Sequence, residues 1–531
     1  MAKKRKLKKF KLHPVTTYIL LMIGIILLSS LLRAFNVSTT YSTINASTNT
    51  IEPTIVTIKS LLTYDGLKYM ISSAAANFSS FTALSTLIIT LIGISIAEVT
   101  GLIQVFMKKT LLKINPKVLT FLLFLVAILS SIVNEVGYAL IIPLGALVFL
   151  FNGRNPLTGI AAAFAGVAFG YGVNFFVSAL DINLISHTIR AASLIDSEYY
   201  VRMTANLFIC IVTSLAFALV GTFITEKIIA KKLGRYISKT KDDLGETKEI
   251  EYLDLQYEEQ KKIMEETNEK KGSKYALIAG LIMIIIFIYM IIPGLPFSGI
   301  LLDLNEDVYS YQLFGDSSYF QDGFTYLISL FFLVTGIAYG IGAKTISNNK
   351  DLFKKVGEKL SLLGTLLITL FFASQFIAAF KESNLGLVIV GSLTNLLKTI
   401  PFSGIILIIV AIIIVGISNI FITSYQTKWT IISPVLVPVM MQNSLSPEFA
   451  QFIFRAASSI TNGITPLLPF FIVYIGYLNI YNKDSDKSFS IREGISLMMP
   501  YLLGALIIYV IVILLWYIIG LPLGPGVFPT I

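Results

Sequence analysis

Four asparagines stand inside long apolar runs at matching intervals: Asn134 precedes Asn174 by 40 residues, and Asn419 precedes Asn462 by 43. An amide supplies a neutral oxygen donor, and beside broken backbone it joins free carbonyls to make the oxygen environment a hard cation takes. Such sets could hold Na⁺ near Asn134, Asn174, Asn419 and Asn462; equally, asparagine caps helices and closes hairpins. Ser131, Ser418, Thr423, Ser424 and Thr461 lie nearby in sequence and could add oxygens. Two charges sit as deep, Asp181 in FFVSALDINLIS and Arg455 in AQFIFRAASS. A charge inside a bilayer costs ~2.5–3.5 kcal/mol on insertion scales, so each must be paired, protonated or facing water. Asp181 would carry a proton or help bind a cation, or else is an interfacial anion near the outer end of its helix. Arg455 offers a planar fork to a carboxylate ligand, or else closes a structural ion pair with Asp181 or Glu135. Trp429 could stack on an aromatic ring or lie in an interfacial belt; Trp516, near the last helix end, reads as belt.

These residues need elements that bring them together at membrane depth. The stretch SSITNGITPLLPFF, 458–471, separates the apolar runs QFIFRAA and IVYIGYLNIY, and carries Asn462, Gly463, Pro466 and Pro469. GVAFGYGVNFFVSALD, with Gly172 and Asn174, interrupts an earlier run, and Pro447 is counted with the breakers of the later one. Proline removes an N–H and clashes with the preceding turn, and glycine weakens a helix interior. Irregular backbone at membrane depth is tolerated only inside protein or along a water-filled cavity. The breaks therefore expose amides, carbonyls and half-helix ends to a cargo.

The composition demands a membrane setting. Of 531 residues, 55% are hydrophobic and 14% charged, against about 25% charged in soluble domains, and many apolar runs approach the ~20 residues that cross a bilayer. One cysteine excludes an internal disulfide and a thiolate cluster, and two histidines leave little for zinc. The net charge of +10 lies between apolar runs, as a cytoplasmic face requires, and argues for no nucleic-acid partner. MAKKRKLKKFKLHP is followed by an apolar run without an A-x-A-like end, a retained first helix rather than a cleaved signal.

Charge threads the spans. Segment 1–16 and loop 227–274 are basic and inside; loop 37–80 is nearly free of Lys and Arg and outside; loop 295–322 is acidic and outside; loop 344–360 holds five lysines and is inside. Runs 118–150 and 403–443 then start and end on one side, so each reads as a re-entrant hairpin with a polar tip, SSIVNEVG or SNIFITSYQTKW. Broken helices 156–190 and 447–480 follow them. The fold is an all-α polytopic membrane protein of about nine transmembrane helices plus two re-entrant hairpins arranged as inverted repeats. Its parts are N-terminal helices within 17–117, a first repeat 118–226, middle helices 275–402, a second repeat 403–480 and a last helix 495–517. Inverted halves with interrupted helices point to a secondary transporter with a midplane site.

HPVTTYILLMIG, NEVGYALIIPLGALVF, NPLTGIAAAFAGVAFGYGVNFFVSALD and KWTIISPVLVPVMM…SPEFAQFIFRAASSITNGITPLLPFF resemble the AbgT family of p-aminobenzoyl-glutamate transporters over nearly the whole chain. The resemblance implies a homodimer with nine transmembrane helices and two hairpins per protomer. It also implies either uptake of the folate breakdown product p-aminobenzoyl-glutamate or export of sulfonamide antimetabolites, on a fold shared with dicarboxylate/sodium symporters. It assigns site roles to Glu135, Asp181, Trp429, Pro447, Arg455 and Pro466. Ser458 stands where the family has an aspartate, and Gln426 where many members have serine; the first departure bears on proton coupling.

The resulting expectation is a secondary active transporter in a bacterial inner membrane, N-terminus cytoplasmic. It takes a small anionic aromatic amide and lipid as partners, needs no cofactor and is driven by Na⁺ or H⁺. Arg455 holds a carboxylate, Trp429 covers the ring and the asparagines bind Na⁺ or cargo. Antimetabolite efflux and Na⁺-coupled dicarboxylate symport are the alternatives. A membrane-embedded enzyme lacks support, with no H-E-x-x-H pattern and no Ser/His or Asp pair at catalytic spacing, and closed hairpins suit occlusion better than a channel. His187 and Cys210 read as packed or interfacial, the three sequons carry little weight, KDDLGE is no metal motif, and EYLDLQYEEQKKIMEETNEKK reads as a solvated cytoplasmic helix.

Overall fold

The computed structural model describes residues 12–45, 47–111, 114–133, 135–241, 247–251, 268–315, 317–399, 403–483 and 488–531. Asn134, the basic start through residue 11 and most of the segment read as a solvated helix, 252–267, lie outside the described residues. Among the described residues, eight helices are long and apolar enough to cross a membrane: Pro14–Ala34, Thr82–Val99, Leu207–Leu233, Glu269–Ile291, Tyr319–Ala343, Gly364–Glu382, Gly404–Phe421 and Ile491–Ile519.

Several helices begin in the same way, with a capping side chain followed by proline. Asn115, Asn155 and Ser446 accept from Lys117, Leu157 and Phe449 N–H groups at 3.0, 3.0 and 3.3 Å, and Pro116, Pro156 and Pro447 take the first helical position. Proline there gives up only an N–H that would have no helical partner. Pro447 therefore opens its helix and does not interrupt it, contrary to the expectation from sequence.

With them are two helical hairpins, one of which has Gly404–Phe421 as an arm, and two broken helices. Pro116–Leu129 and Val136–Phe151 form the arms of the first hairpin. Pro156–Gly170 and Ala179–Ala192 follow, separated by 171–178. Gly404–Phe421 and Tyr425–Gln442 form the second hairpin around a three-residue tip. Pro447–Asn462 and Phe471–Ile480 follow it, separated by 463–470.

Every residue of Pro156–Gly170 and of Pro447–Asn462 is buried. By contrast, Glu269–Ile291 exposes apolar side chains such as Leu277 and Ile285 over more than half their surface. A helix enclosed on every side lies in the interior, and one with a bare apolar face belongs against lipid. The two enclosed half-helices are thus the axis about which the rest packs. Close approach is needed there: a Cβ on Gly159 would come within 2.2 Å of the Gly145 carbonyl oxygen on the neighbouring hairpin arm.

The expected all-α fold carries two β-ribbons. Ser38–Ile44 pairs antiparallel with Ile51–Thr57 inside the segment read as a loop, and Ile237–Lys241 pairs with Thr247–Glu251. Thr82–Val99 and Leu102–Phe106 are separated at Gly101, whose φ of +92° suits glycine.

Polar contacts gather at two ends. At one, Lys108 meets Glu269 at 2.8 Å, Arg154 meets Glu226 at 2.6 Å, and Thr345 bonds the Thr100 carbonyl at 2.8 Å. At the other, Asn395 and Lys398 bond Thr40 and Ser42 of the first ribbon at 2.7 and 2.8 Å. There also Asn49 bonds Ser193 at 2.7 Å, Asn206 bonds the Glu448 carbonyl at 3.0 Å and Ser446 bonds the Phe528 carbonyl at 2.7 Å. The tips and breaks lie between these ends.

Candidate functional site

The two breaks touch each other. Ser459 Oγ accepts the Gly172 N–H at 2.7 Å, and Asn462 Nδ2 donates to the Ala168 carbonyl at 3.2 Å. Contact this close requires glycine at 172, because a Cβ would stand 2.3 Å from both the Arg455 carbonyl oxygen and Ser459 Oγ. A hydrogen-bonded chain runs on from Asn462 Nδ2 to the Tyr425 hydroxyl (3.1 Å), from there to Ser459 Oγ (2.9 Å), and from Ser459 to the Arg455 carbonyl (3.1 Å).

Each hairpin tip docks on the break of the helix that follows it. In the first half Asn174 Nδ2 donates to Ser131 Oγ and the Ile128 carbonyl at 3.2 and 3.3 Å, while its Oδ1 accepts the Phe175 N–H at 2.8 Å. In the second half Asn419 Nδ2 donates to Thr461 Oγ1 and Asn462 Oδ1 at 3.0 and 2.9 Å. Thr461 in turn donates to the Gly416 carbonyl at 2.9 Å, and Thr465 to the Ile420 carbonyl at 2.8 Å. Ser418 bonds its own helix, at the Ile414 carbonyl.

Asp181 and Arg455 form a buried ion pair. Arg455 Nη1 donates to Asp181 Oδ1, and Nη2 lies 3.4 Å from Oδ2. Asp181 also caps the second half-helix of its repeat, Oδ2 accepting the Ser178 N–H at 2.9 Å and its hydroxyl at 2.7 Å. The carboxylate thus satisfies the positive end of that half-helix as well as the guanidinium. Both side chains are thus enclosed, and Arg455 closes on Asp181 in this structure.

Trp429 is 0% exposed, which rules out a belt position. Its indole N–H donates to Thr188 Oγ1 at 3.0 Å, and its ring lies 4.4 Å from that of Phe454. Tyr138, Tyr171, Phe470 and Tyr425 continue the aromatic wall: Tyr138 stacks on Phe470 at 4.9 Å and Tyr171 meets Tyr425 at 5.1 Å.

The remaining sequence candidates divide. Glu135 is half-buried at the start of Val136–Phe151. Ser458 is enclosed, and its Oγ has no partner among the described residues, nor has Arg455 Nε. Gly463, Pro466 and Pro469 occupy the second break. Ser424 caps Tyr425–Gln442 from an exposed position, accepting the Thr427 N–H at 3.3 Å. Gln426 is half-buried one turn below Thr430, whose hydroxyl bonds its carbonyl. Asn134 lies outside the described residues.

Sequence reasoning missed Lys428. Its side chain is 0% exposed, its Nζ donates to Asn419 Oδ1, and the ammonium lies 4.9 Å above the Tyr425 ring and 5.3 Å above that of Phe454. The signal was a lysine within an apolar run, the same criterion that singled out Arg455. Tyr425, Ser459 and Thr188 were missed because short polar and aromatic side chains in a membrane helix carry no signal of their own.

Comparison with known proteins gives this arrangement a family. The model of the AbgT putative transporter family matches residues 9–531. The p-aminobenzoyl-glutamate transport protein of Escherichia coli (strain K12) is 30% identical over 520 residues, 98% of this chain and 94% of the relative. MtrF of Neisseria gonorrhoeae, whose structure is described as illuminating a class of antimetabolite efflux pumps, is 31% identical over 98% of each chain, with a TM-score of 0.48. The YdaH transporter of Alcanivorax borkumensis is 26% identical over 97% of this chain and 100% of that one, with a TM-score of 0.47. On the family match and the extent of the Escherichia coli likeness, this chain belongs to the AbgT family of transporters.

Proposed function

We propose that this transporter moves p-aminobenzoyl-glutamate, or a related anionic aromatic compound of the folate pathway, across the bacterial inner membrane by secondary active transport driven by Na⁺ or H⁺. The observation that carries the reading is the convergence of two hairpin tips and two helix breaks on one buried polar cluster. Broken helices leave main-chain dipoles for a solute near mid-membrane. The aromatic wall of Tyr138, Tyr171, Tyr425 and Trp429 suits the ring of such a cargo, and the guanidinium of Arg455 suits its carboxylates once Asp181 releases it.

In this reading each broken helix is one crossing and Gly404–Phe421 is a hairpin arm, for nine crossings and two re-entrant hairpins in all. Rocking of the hairpins against the breaks exposes the cluster to each side in turn.

A second reading, the alternative that the family resemblance carries, is export of sulfonamide antimetabolites. One assay separates the two. Proteoliposomes are offered labelled p-aminobenzoyl-glutamate or a labelled sulfonamide, with Na⁺ and pH gradients imposed separately. Gradient-dependent accumulation of the first supports import chemistry, and sulfonamide movement alone supports the second reading. No movement of either excludes both cargoes.

A further inference from the structure

We propose that the ammonium of Lys428 is a tethered cation, filling the oxygen cluster of the second hairpin tip in place of a free sodium ion. The inference rests on reading the asparagine clusters as cation sites and is independent of the cargo.

The orientation of Asn419 carries the argument. Both of its amide protons are committed, to Thr461 Oγ1 at 3.0 Å and to Asn462 Oδ1 at 2.9 Å. Its Oδ1 is therefore turned toward Lys428, whose Nζ donates to it. The reverse orientation would set an NH₂ against an ammonium and lose both acceptors. The network presents an acceptor, not a donor, to the Lys428 side chain at that point.

The surroundings are those of a cation. Asn419 lies in the last turn of Gly404–Phe421, and its partners Thr461 and Asn462 lie in the last turn of Pro447–Asn462. Two helix C-terminal ends thus meet there, each carrying partial negative charge from its last carbonyls. The faces of Tyr425 and Phe454 add a cation–π environment. No carboxylate is paired with Lys428 among the described residues; Asp181, the carboxylate in this cluster, is held by Arg455 and Ser178. With that pair neutral, Lys428 leaves the second-half cluster with the single positive charge a bound sodium ion would bring.

The consequence is that removing the ammonium opens a sodium site. Purified protein in detergent is unfolded thermally in NaCl or choline chloride at equal ionic strength. For K428M, Tm climbs by about 1 °C for each tenfold step in NaCl beyond any rise in the unaltered protein, and adding N419A removes the extra rise. K428M that matches the unaltered protein, or an extra rise that survives N419A, overturns the proposal. Should K428M not fold, K428Q takes its place.

A second measurement needs no change at 428. N419A alone leaves the sodium response of the unaltered protein intact, because the ammonium excludes sodium from these oxygens. A sodium response that N419A abolishes overturns the proposal while leaving the asparagine-cluster reading standing. Absence of any sodium response in the unaltered protein, K428M and K428Q sinks both.

Discussion

Asp181 and Arg455 shape each other's substitutions. Each is buried, and together they are neutral. Removing one partner of such a pair leaves an uncompensated charge and costs about 3–5 kcal/mol, whereas removing both costs less than the sum. We therefore expect R455A and D181A each to lower Tm and the double variant to recover part of the loss, measured by thermal unfolding in detergent. Transport is lost in all three, because the guanidinium that would meet a carboxylate cargo is absent or unaligned. Additive Tm losses would show that the pair is not coupled. Trp429 has a smaller stake: W429F keeps the ring against Phe454 but drops the bond to Thr188, a loss of about 1 kcal/mol. T188A should cost more, because the same hydroxyl also lies 2.6 Å from the buried Gln451 Oε1, and the two together little more than T188A alone.

How far these residues could be read in advance depended on what each one breaks. A charge or an asparagine in an apolar run violates the rule that such segments are apolar, and Asn174, Asp181, Asn419, Arg455 and Asn462 were found on that ground. Lys428 violates it equally but stands beside Trp429, and a Lys–Trp pair also reads as a membrane-surface anchor. Only the enclosed position of both side chains separates the two readings. Nothing in the chain predicts which partner each group takes. That Arg455 meets Asp181 follows from the packing of one half against the other.

Among the elements, the breaks were legible because glycine, proline and asparagine cluster where a helix should continue. The ribbon Ser38–Ile44/Ile51–Thr57 was overlooked in a segment read only for charge, although its threonine, tyrosine and isoleucine runs flank a polar turn. The close contact of the two breaks gives a test at this scale. G172A places a Cβ 2.3 Å from the Arg455 carbonyl oxygen, a backbone atom that cannot swing aside. We expect a cost of about 1–3 kcal/mol and loss of uptake in proteoliposomes, with helix content by circular dichroism unchanged. G323A, where a Cβ meets nothing within 4 Å, serves as the control and should transport normally. Normal uptake by G172A would mean that the breaks need not touch during the cycle.

For the whole molecule, the threading by charge and the two polar ends are independent statements that can be set against each other. Charge places the segment around residue 48 outside and that around residue 350 inside. The contacts tie the first to Ser193, and place Thr345, just before the second, on Thr100 at the opposite end. Thr48 and Lys350 are both exposed, whereas Cys210 is buried, so single cysteines at these positions report on an otherwise silent background. In intact cells a membrane-impermeant maleimide should label T48C, and should label K350C only after permeabilisation. Reversed labelling would invert the molecule in its membrane yet keep the two ends apart, so the basic loops would no longer mark the cytoplasm. Labelling of both from the same side would place the two ends on one face, and the hairpin tips could then no longer lie between them.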